Sequence, residues 1–345
     1  MAATDVSAFV RRTREVREAD ERASLAPAAQ RSDASRGRRR DEPPDRYRTI
    51  FERDRDRIVH AKAFRRLKHK TQVFIDPDGD HYITRLSHTL QVHQIARSLA
   101  ASLSLNEALA EAIALGHDVG HTPFGHTGEE AFSPYFPMSG GWHHAAQGVR
   151  TFEVLEDLNL SWEVRDGIRA HSWRIDPPPA TQEALCVRYA DRIAYLTHDA
   201  LDALRAGVLT LGDFPPRVLA RFGPPGTAWI GEMIDAVIDE SLRGTFVHME
   251  PETLAVMHEL RDFMFERLYL SPGLRARNQE AVELLRRLMD WHLEHPDELP
   301  ASYRETDADR VTQAADYIAG MTDRFAQRTH LRLFGTPGIS GEAAW

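Results

Sequence analysis

The chain has 345 residues, with 43 Lys and Arg against 52 Asp and Glu for a formal net charge of −9, and it is 42% hydrophobic and 28% charged. That is the composition of a soluble globular protein with room for one large core or two domains, and its acidic balance excludes a generally basic nucleic-acid binder without excluding a local basic patch. No apolar run reaches the ~20 residues of a membrane span, the N-terminus is polar with no signal-peptide core, and the single cysteine, Cys186, excludes an internal disulfide framework and fits a reducing cytoplasm.

One thiol also excludes a structural thiolate zinc site, so any metal must sit on His, Asp or Glu. Seventeen histidines make that a practical option.

Residues 1–46 read as a weakly ordered arm. Its basic run Ser35-Arg36-Gly37-Arg38-Arg39-Arg40 is either a solvated tail or an anion-binding arm for phosphates, nucleic acid or a neighbouring subunit. From Tyr47 to Lys70, apolar Ile50, Phe51, Ile58, Ala61, Phe64 and Leu67 recur at helical spacing, predicting one or two amphipathic helices. Their basic residues, Lys70 among them, mostly solvate the helix. Thr71 to Ile75 is β-like and Asp76-Pro77-Asp78-Gly79-Asp80 is a turn, so a small β-hairpin is expected there.

Leu86, Leu90, Val92, Ile95, Leu99 and Leu103 predict a buried helix over 84–105, with His88 on its buried face. Such a histidine is either a satisfied core residue or a metal ligand, and the His-Asp pair in the next helix favours the ligand. Arg85, one turn earlier on the same side, would face an anion near the metal. Asn106 caps a helix from Glu107 that ends at Gly116 or soon after.

The chemistry concentrates in His117 to Glu130, HDVGHTPFGHTGEE. Three imidazoles (His117, His121, His126) and three carboxylates (Asp118, Glu129, Glu130) crowd a loop broken by Gly116, Gly120, Pro123 and Gly125. Adjacent His117 and Asp118 offer a nitrogen and an oxygen to one divalent ion, and further ligands must come from elsewhere.

Residues 131–141 form a mobile cover or a pocket wall, followed by helices opening at Trp142 and ending at His171. The helix Glu183 to Leu204 puts Asp191 among apolar residues, where it is either a ligand or the partner of Arg188 or Arg192. Tyr195 and Asp199 follow at four-residue steps, so the three line one stripe. Beyond Leu211 lie a Pro/Gly-rich stretch to Gly226 and helices over 229–242, 254–268, 280–293 and 308–325, with no ligand cluster. Tyr317 in the last reads as a core aromatic or a ligand contact. The chain is predicted to be all-α.

The ordered set His88, His117-Asp118, Asp191 resembles the HD-domain metal phosphohydrolases. RLSHTLQV, GHDVGHTPFGHTGEE and YADRIAYLTHD are similar to the deoxyguanosine triphosphate triphosphohydrolase-like branch of dNTP triphosphohydrolases. DRDRIVHAKAFRRLKHKTQVF and WHHAAQGVR extend the likeness over roughly 45–205. The C-terminal third shares only helical character and AADYIAGMTDRF. The resemblance implies an HD helical core over 47–210 and a helical C-terminal region over 211–345.

It also implies four metal ligands, His88, His117, Asp118 and Asp191, for one divalent ion (Mn, Fe, Co, Ni, Zn or Mg), with Mg²⁺ accompanying the nucleotide. The catalytic set it implies is His121, His126, Glu129 and His144, with His126 as general acid, His144 on phosphate and His143 as a rival for that position. Arg85, Gln72, Tyr195 and Asp199 match substrate-contacting positions. The implied partners are a dNTP substrate, an activating dNTP and further copies of the chain in a hexamer or tetramer. Two other readings use the same residues: an HD phosphodiesterase or single-strand nuclease, with single-stranded nucleic acid as partner, and a nucleotide-sensing regulator.

Overall fold

The computed structural model describes residues 9–75 and 82–339. Among these residues the chain is helical, with isolated β-bridges in place of a sheet. The N-terminal helices are α1 (Arg14–Ser24), α2 (Ile50–His60), α3 (Lys62–Arg66), α4 (Arg85–Ser102) and α5 (Glu107–Gly116). Next come α6 (His126–Phe132), α7 (His144–Arg150), α8 (Trp162–Ala170), α9 (Gln182–Arg205), α10 (Pro216–Phe222) and α11 (Thr227–Ser241). The chain closes with α12 (Pro251–Met264), α13 (Pro272–Glu294), α14 (Ala301–Arg304), α15 (Arg310–Ala319) and α16 (Asp323–Phe334).

Helix α5 is the axis. Every residue from Leu109 to Gly116 is buried, the signature of a helix apolar on all faces and therefore surrounded. Helices α2, α4, α8 and α9 pack around it. Local capping fixes where these helices begin: Asn106 Oδ1 accepts from Leu109 N at 3.2 Å, and Thr181 Oγ1 from Ala184 N at 3.3 Å. The polar loop 117–125 therefore leaves the end of the most deeply buried helix, and its side chains are held by packed neighbours on several sides.

Apolar packing does not divide at residue 210. Helices α10, α11 and α12 share the first core with α2 to α5, α8 and α9. The second core joins α6, and Ile75 and Phe124 beside the loop, to α13, α15 and α16. The C-terminal helices thus lie directly against the loop that follows α5.

Three expectations change. The stretch 9–46 is not a solvated tail: Arg38 is ion-paired to Asp54 and Glu42, Arg40 to Asp157, and Arg36 stacks 3.8 Å over the Trp162 ring. Its arginines find carboxylates and an aromatic face on the core, so the segment is ordered by side-chain pairing that apolar periodicity does not register. The helix expected over 308–325 is two, because the chain breaks at Gly320 and Thr322 Oγ1 caps α16 by accepting from Phe325 N. The β-hairpin reduces to one antiparallel bridge, Thr71 to Thr84, and its expected turn, 76–80, lies outside the described residues.

Candidate metal centre and the residues around it

Three helices deliver the first cluster. His88 comes from the first turns of α4, His117 from the end of α5 and Asp191 from the middle of α9. One donor atom from each lies within 4.8 Å of the others. His88 Nε2 is 3.1 Å from Asp191 Oδ1, and His117 Nε2 is 3.9 Å from that oxygen and 3.4 Å from Asp118 Oδ1. Cis ligands on an octahedral ion with bonds of about 2.1 Å lie about 3 Å apart, so this spacing is what a divalent ion needs.

The chemistry of the donors fits as well. His117 Nδ1 donates to Ala114 O at 2.7 Å, leaving Nε2 as a lone pair that is buried and without a hydrogen-bond partner. A buried unpaired acceptor is costly and calls for an occupant. Asp191 pairs with His88 and with neither Arg188 nor Arg192. Arg188 donates to the Ser172 and Ile175 carbonyls, and Arg192 is engaged with His258. Asp118 is tied from its other side by Arg85, whose Nη1 donates to Oδ2 at 2.9 Å. Burial opposes its charge, yet His117, Arg85 and His121 hold its pKa well below the ordinary carboxylate value.

Arg85 reaches Asp118 because Gly125 lets it. A methyl group on Gly125 would sit 2.1 Å from Arg85 Nη2, and the residue adopts φ +59°. Gly120 has the same meaning one turn earlier: a side chain there would meet His144 O at 2.0 Å and Gly148 N at 2.2 Å, so α7 rests directly on the loop.

The second cluster stands on that contact. Donor atoms of His121, His126, Glu129 and His144 fall within 4.8 Å of one another. His144 Nδ1 is 2.5 Å from Glu129 Oε1, and His126 Nδ1 is 3.3 Å from Glu129 Oε2. His121 stacks on His144 with ring centroids 3.9 Å apart and places Nε2 3.1 Å from Asp118 Oδ1. Burial lowers the pKa of His144, but Glu129 outweighs it and the net shift is upward; Glu129 is correspondingly held well below its ordinary value. The neighbouring His143 caps α7, its Nδ1 accepting from Ala145 N. His126 faces solvent, with its side chain 74% exposed.

The remaining expected residues have other neighbours. The Thr71–Thr84 bridge sets Gln72 beside the start of α4, and Gln72 Oε1 is buried with no partner. Asp199 accepts from the Tyr269 hydroxyl at 2.5 Å, and burial raises its pKa to about 7. Tyr195 lies with Arg192, which stacks 4.0 Å over Trp173. Tyr317 packs on His292 and Tyr303 in the second core. A cavity of about 320 Å³ lies elsewhere: Lys62, Arg66, Lys70 and Gly120 are among its walls, and none of the first cluster is.

Several participants were not singled out by sequence. His171, at the end of α8, has Nε2 3.0 Å from His144 Nε2 and its ring 5.1 Å from that of His117. Tyr269 arrives from the π-helical stretch Phe265–Tyr269 that follows α12. Lys70, expected to solvate a helix, is buried with its amine on the His121 and Ala319 carbonyls, and burial lowers its pKa to about 7. Asp323, at the start of α16, accepts from Thr71 N, Thr71 Oγ1 and Phe124 N. Only the AADYIAGMTDRF segment hinted at this last brace.

Comparison with known proteins agrees with this geometry. The HD domain family model matches 85–196, and a phosphohydrolase-associated domain model matches 247–332. A protein of Caldanaerobacter subterraneus named deoxyguanosinetriphosphate triphosphohydrolase-like protein is 44% identical, covering 94% of this chain and 96% of its own length. Proteins of the same name from Clostridium perfringens (40% identical, 91% of this chain, 95% of theirs) and Brucella ovis (39%, 91% and 97%) are similar throughout. The likeness therefore runs well past residue 205, into the helices that brace the loop. The chain belongs to the deoxyguanosinetriphosphate triphosphohydrolase-like family of HD-domain hydrolases.

Proposed function

We propose that the protein is a metal-dependent dNTP triphosphohydrolase that converts a dNTP and water into a deoxynucleoside and inorganic triphosphate. The observation carrying this reading is the convergence of His88, His117 and Asp191, with Asp118 alongside, next to an exposed imidazole that rests on a carboxylate. The relatives' name adds the substrate class.

In this reading His88, His117, Asp118 and Asp191 would hold one divalent ion, which when bound would supply Lewis-acid chemistry toward phosphate and the attacking water. Attack on the α-phosphorus breaks its bond to the sugar 5′-oxygen, an alkoxide too basic to leave unaided. His126, with Nδ1 on Glu129 and Nε2 free toward solvent, gives that oxygen its proton. Glu129 orients His126 and His144 together. His121 passes its Nε2 proton bond to Asp118 and so fixes the Asp118 carboxylate from a second side. His144 has both ring nitrogens engaged, so it contributes charge beside the phosphates in place of the direct contact expected from sequence. Arg85 neutralises the carboxylates, Gln72 offers an unpaired amide oxygen, Asp199 accepts from the sugar 3′-hydroxyl, and Tyr195 closes the space a 2′-hydroxyl would need.

The test is product identity. With Mn²⁺ or Mg²⁺ and each of the four dNTPs, alone and mixed, the reaction should yield deoxynucleoside and intact triphosphate. Pyrophosphate with a nucleoside monophosphate, or cleavage of single-stranded DNA alone, would sink the reading. Mixing also tests the activating dNTP, and size-exclusion chromatography with and without nucleotide tests the hexamer or tetramer.

A further inference from the structure

We propose that the cavity lined by Lys62, Arg66 and Lys70 binds a short polyphosphate anion, and that the anion braces the loop 117–125 from outside the metal centre. The cavity holds about 320 Å³, at the lower end of the ~300–1,000 Å³ of small-ligand pockets. The three cations enter it at four-residue steps. Lys62 is exposed, Arg66 half-buried and Lys70 only 2% exposed, so they are graded from solvent to the interior. Among the described residues, none of the three has a carboxylate within ion-pair distance. Two acidic side chains share the cavity wall, and both are engaged. Asp316 accepts from Gln147 Nε2 at 2.9 Å and from Arg150 Nε and Nη2 at 2.9 and 2.7 Å, so Arg150 neutralises it. Glu156 accepts from the backbone of Lys62 at 2.8 Å and of Ala63 at 2.6 Å. Three cations therefore face one carboxylate that is already committed, and the low-dielectric walls concentrate their field on the cavity.

The donors are free as well as charged. Arg66 makes no hydrogen bond among the described residues. Gly320 leaves room for its head: a methyl group there would sit 2.9 Å from Arg66 Nη1 and 3.2 Å from the Tyr303 hydroxyl. A guanidinium with open donors beside a hydroxyl suits phosphate, which it can hold through two parallel bonds. Lys70 places two of its three ammonium protons on the His121 and Ala319 carbonyls. Asp323 and Asp118 act on it only from beyond ion-pair distance, and an anion in the cavity would favour its charged form. Cations spread over eight residues of chain call for several negative charges in a row, which a polyphosphate has and a single carboxylate lacks.

The remaining walls tie the cavity to the chemistry. Val119 and Gly120 line it, between Asp118 and His121 in the chain. The Lys70 amine, on the cavity floor, holds the carbonyl of His121 itself. Tyr303 and Gly320 belong to α14 and the end of α15, so an anion here would join the C-terminal helices to α3 and to the loop. In the proposed reaction the same chemistry has two sources, the released inorganic triphosphate and the phosphates of a nucleotide. Any effect on hydrolysis rests on the triphosphohydrolase reading, and the binding itself does not.

The experiment is a calorimetric titration of the full chain with inorganic triphosphate in excess EDTA. Triphosphate should bind. Arg66→Ala should weaken it about tenfold or more, and Lys62→Ala, nearer the solvent and safe for folding, by less. Arg324→Ala removes an equal charge at an exposed position outside the cavity and should leave binding as it is. Bound triphosphate should also slow amide exchange over 117–125 in the wild type and not in Arg66→Ala. Repeating the titration with dGTP separates the sources: tighter binding with the same dependence on Arg66 names a nucleotide, and weaker binding names the free triphosphate. No binding of either, binding that Arg66→Ala and Lys62→Ala leave unchanged, or binding without slower exchange in the loop would overturn the proposal. Arg66-dependent binding in a chain that releases no triphosphate from dGTP and Mn²⁺ would support the site and refute the proposed function instead.

Discussion

Gly125 shows how much rests on single atoms. Its φ of +59° is left-handed, and Arg85 Nη2 occupies the space a side chain would take. Gly125→Ala should therefore cost about 1–2 kcal/mol in backbone strain and push Arg85 off Asp118. We expect hydrolysis to fall at least tenfold with weaker metal binding, measured by steady-state kinetics and metal titration; unchanged values for both would mean Arg85 does not brace Asp118. At this scale the sequence was informative where the signal was local. His117, Asp118, His121, His126 and Glu129 sit within one short motif, and His88 and Asp191 announced themselves as polar residues on apolar helical faces. It was silent where a role depends on a distant partner. His171 looked like the polar end of a helix, because what defines it is the His144 ring reached across the fold. Tyr269 meets Asp199 across 70 residues, and no spacing rule connects them.

Helices meet the loop 117–125 through buried polar braces, and these make testable joints. Asp323 at the start of α16 takes bonds from Thr71 and from Phe124 of the loop. Asp323→Ala strands two backbone N–H groups and should cost roughly 2–6 kcal/mol at ~1–3 kcal/mol per buried unpaired group. Activity should fall with it even though Asp323 touches none of the first cluster; full activity at the reduced melting temperature would separate the brace from the site. A second joint ties the N-terminal arm to α9. Glu183 Oε1 accepts from Gln30 N and Asn106 N at 3.0 and 2.9 Å, and burial raises its pKa from 4.5 to about 7. Between those pH values the folded chain holds a proton that the unfolded chain has lost, so this group lowers stability as pH rises through the window. Glu183→Gln keeps an acceptor without the charge. It should raise the melting temperature at pH 8, by a gain of ~1–3 kcal/mol, and leave it nearly unchanged at pH 4. Equal effects at both pH values would exclude Glu183 as the source. Most helices were legible because apolar periodicity reports burial. The arm was not, since its order comes from ion pairs such as Arg38 with Asp54, and the break at Gly320 was not, since apolar residues continue on both sides of it.

Across the whole molecule, the first cluster is the point where α4, α5 and α9 meet, and α5 is the helix the first core is built around. A divalent ion bound there joins segments 103 residues apart, from His88 to Asp191. The ion binds the folded chain and finds no preformed site in the unfolded one, so free metal at a hundredfold excess over its dissociation constant adds ~2.7 kcal/mol to stability. For a chain of this size that corresponds to a rise in melting temperature of several degrees. Chelation should remove it, and returning Mn²⁺ should restore it. His88→Ala should melt at the same temperature with and without metal, because one of the converging donors is gone. The C-terminal helices brace the same loop through Lys70 and Asp323, so chelation should also speed amide exchange at the start of α16, far from any ligand. A melting temperature indifferent to chelator in the wild type, or a His88→Ala chain still stabilised by Mn²⁺, would show that the three helices are held by packing alone and that the ion, if any, binds elsewhere.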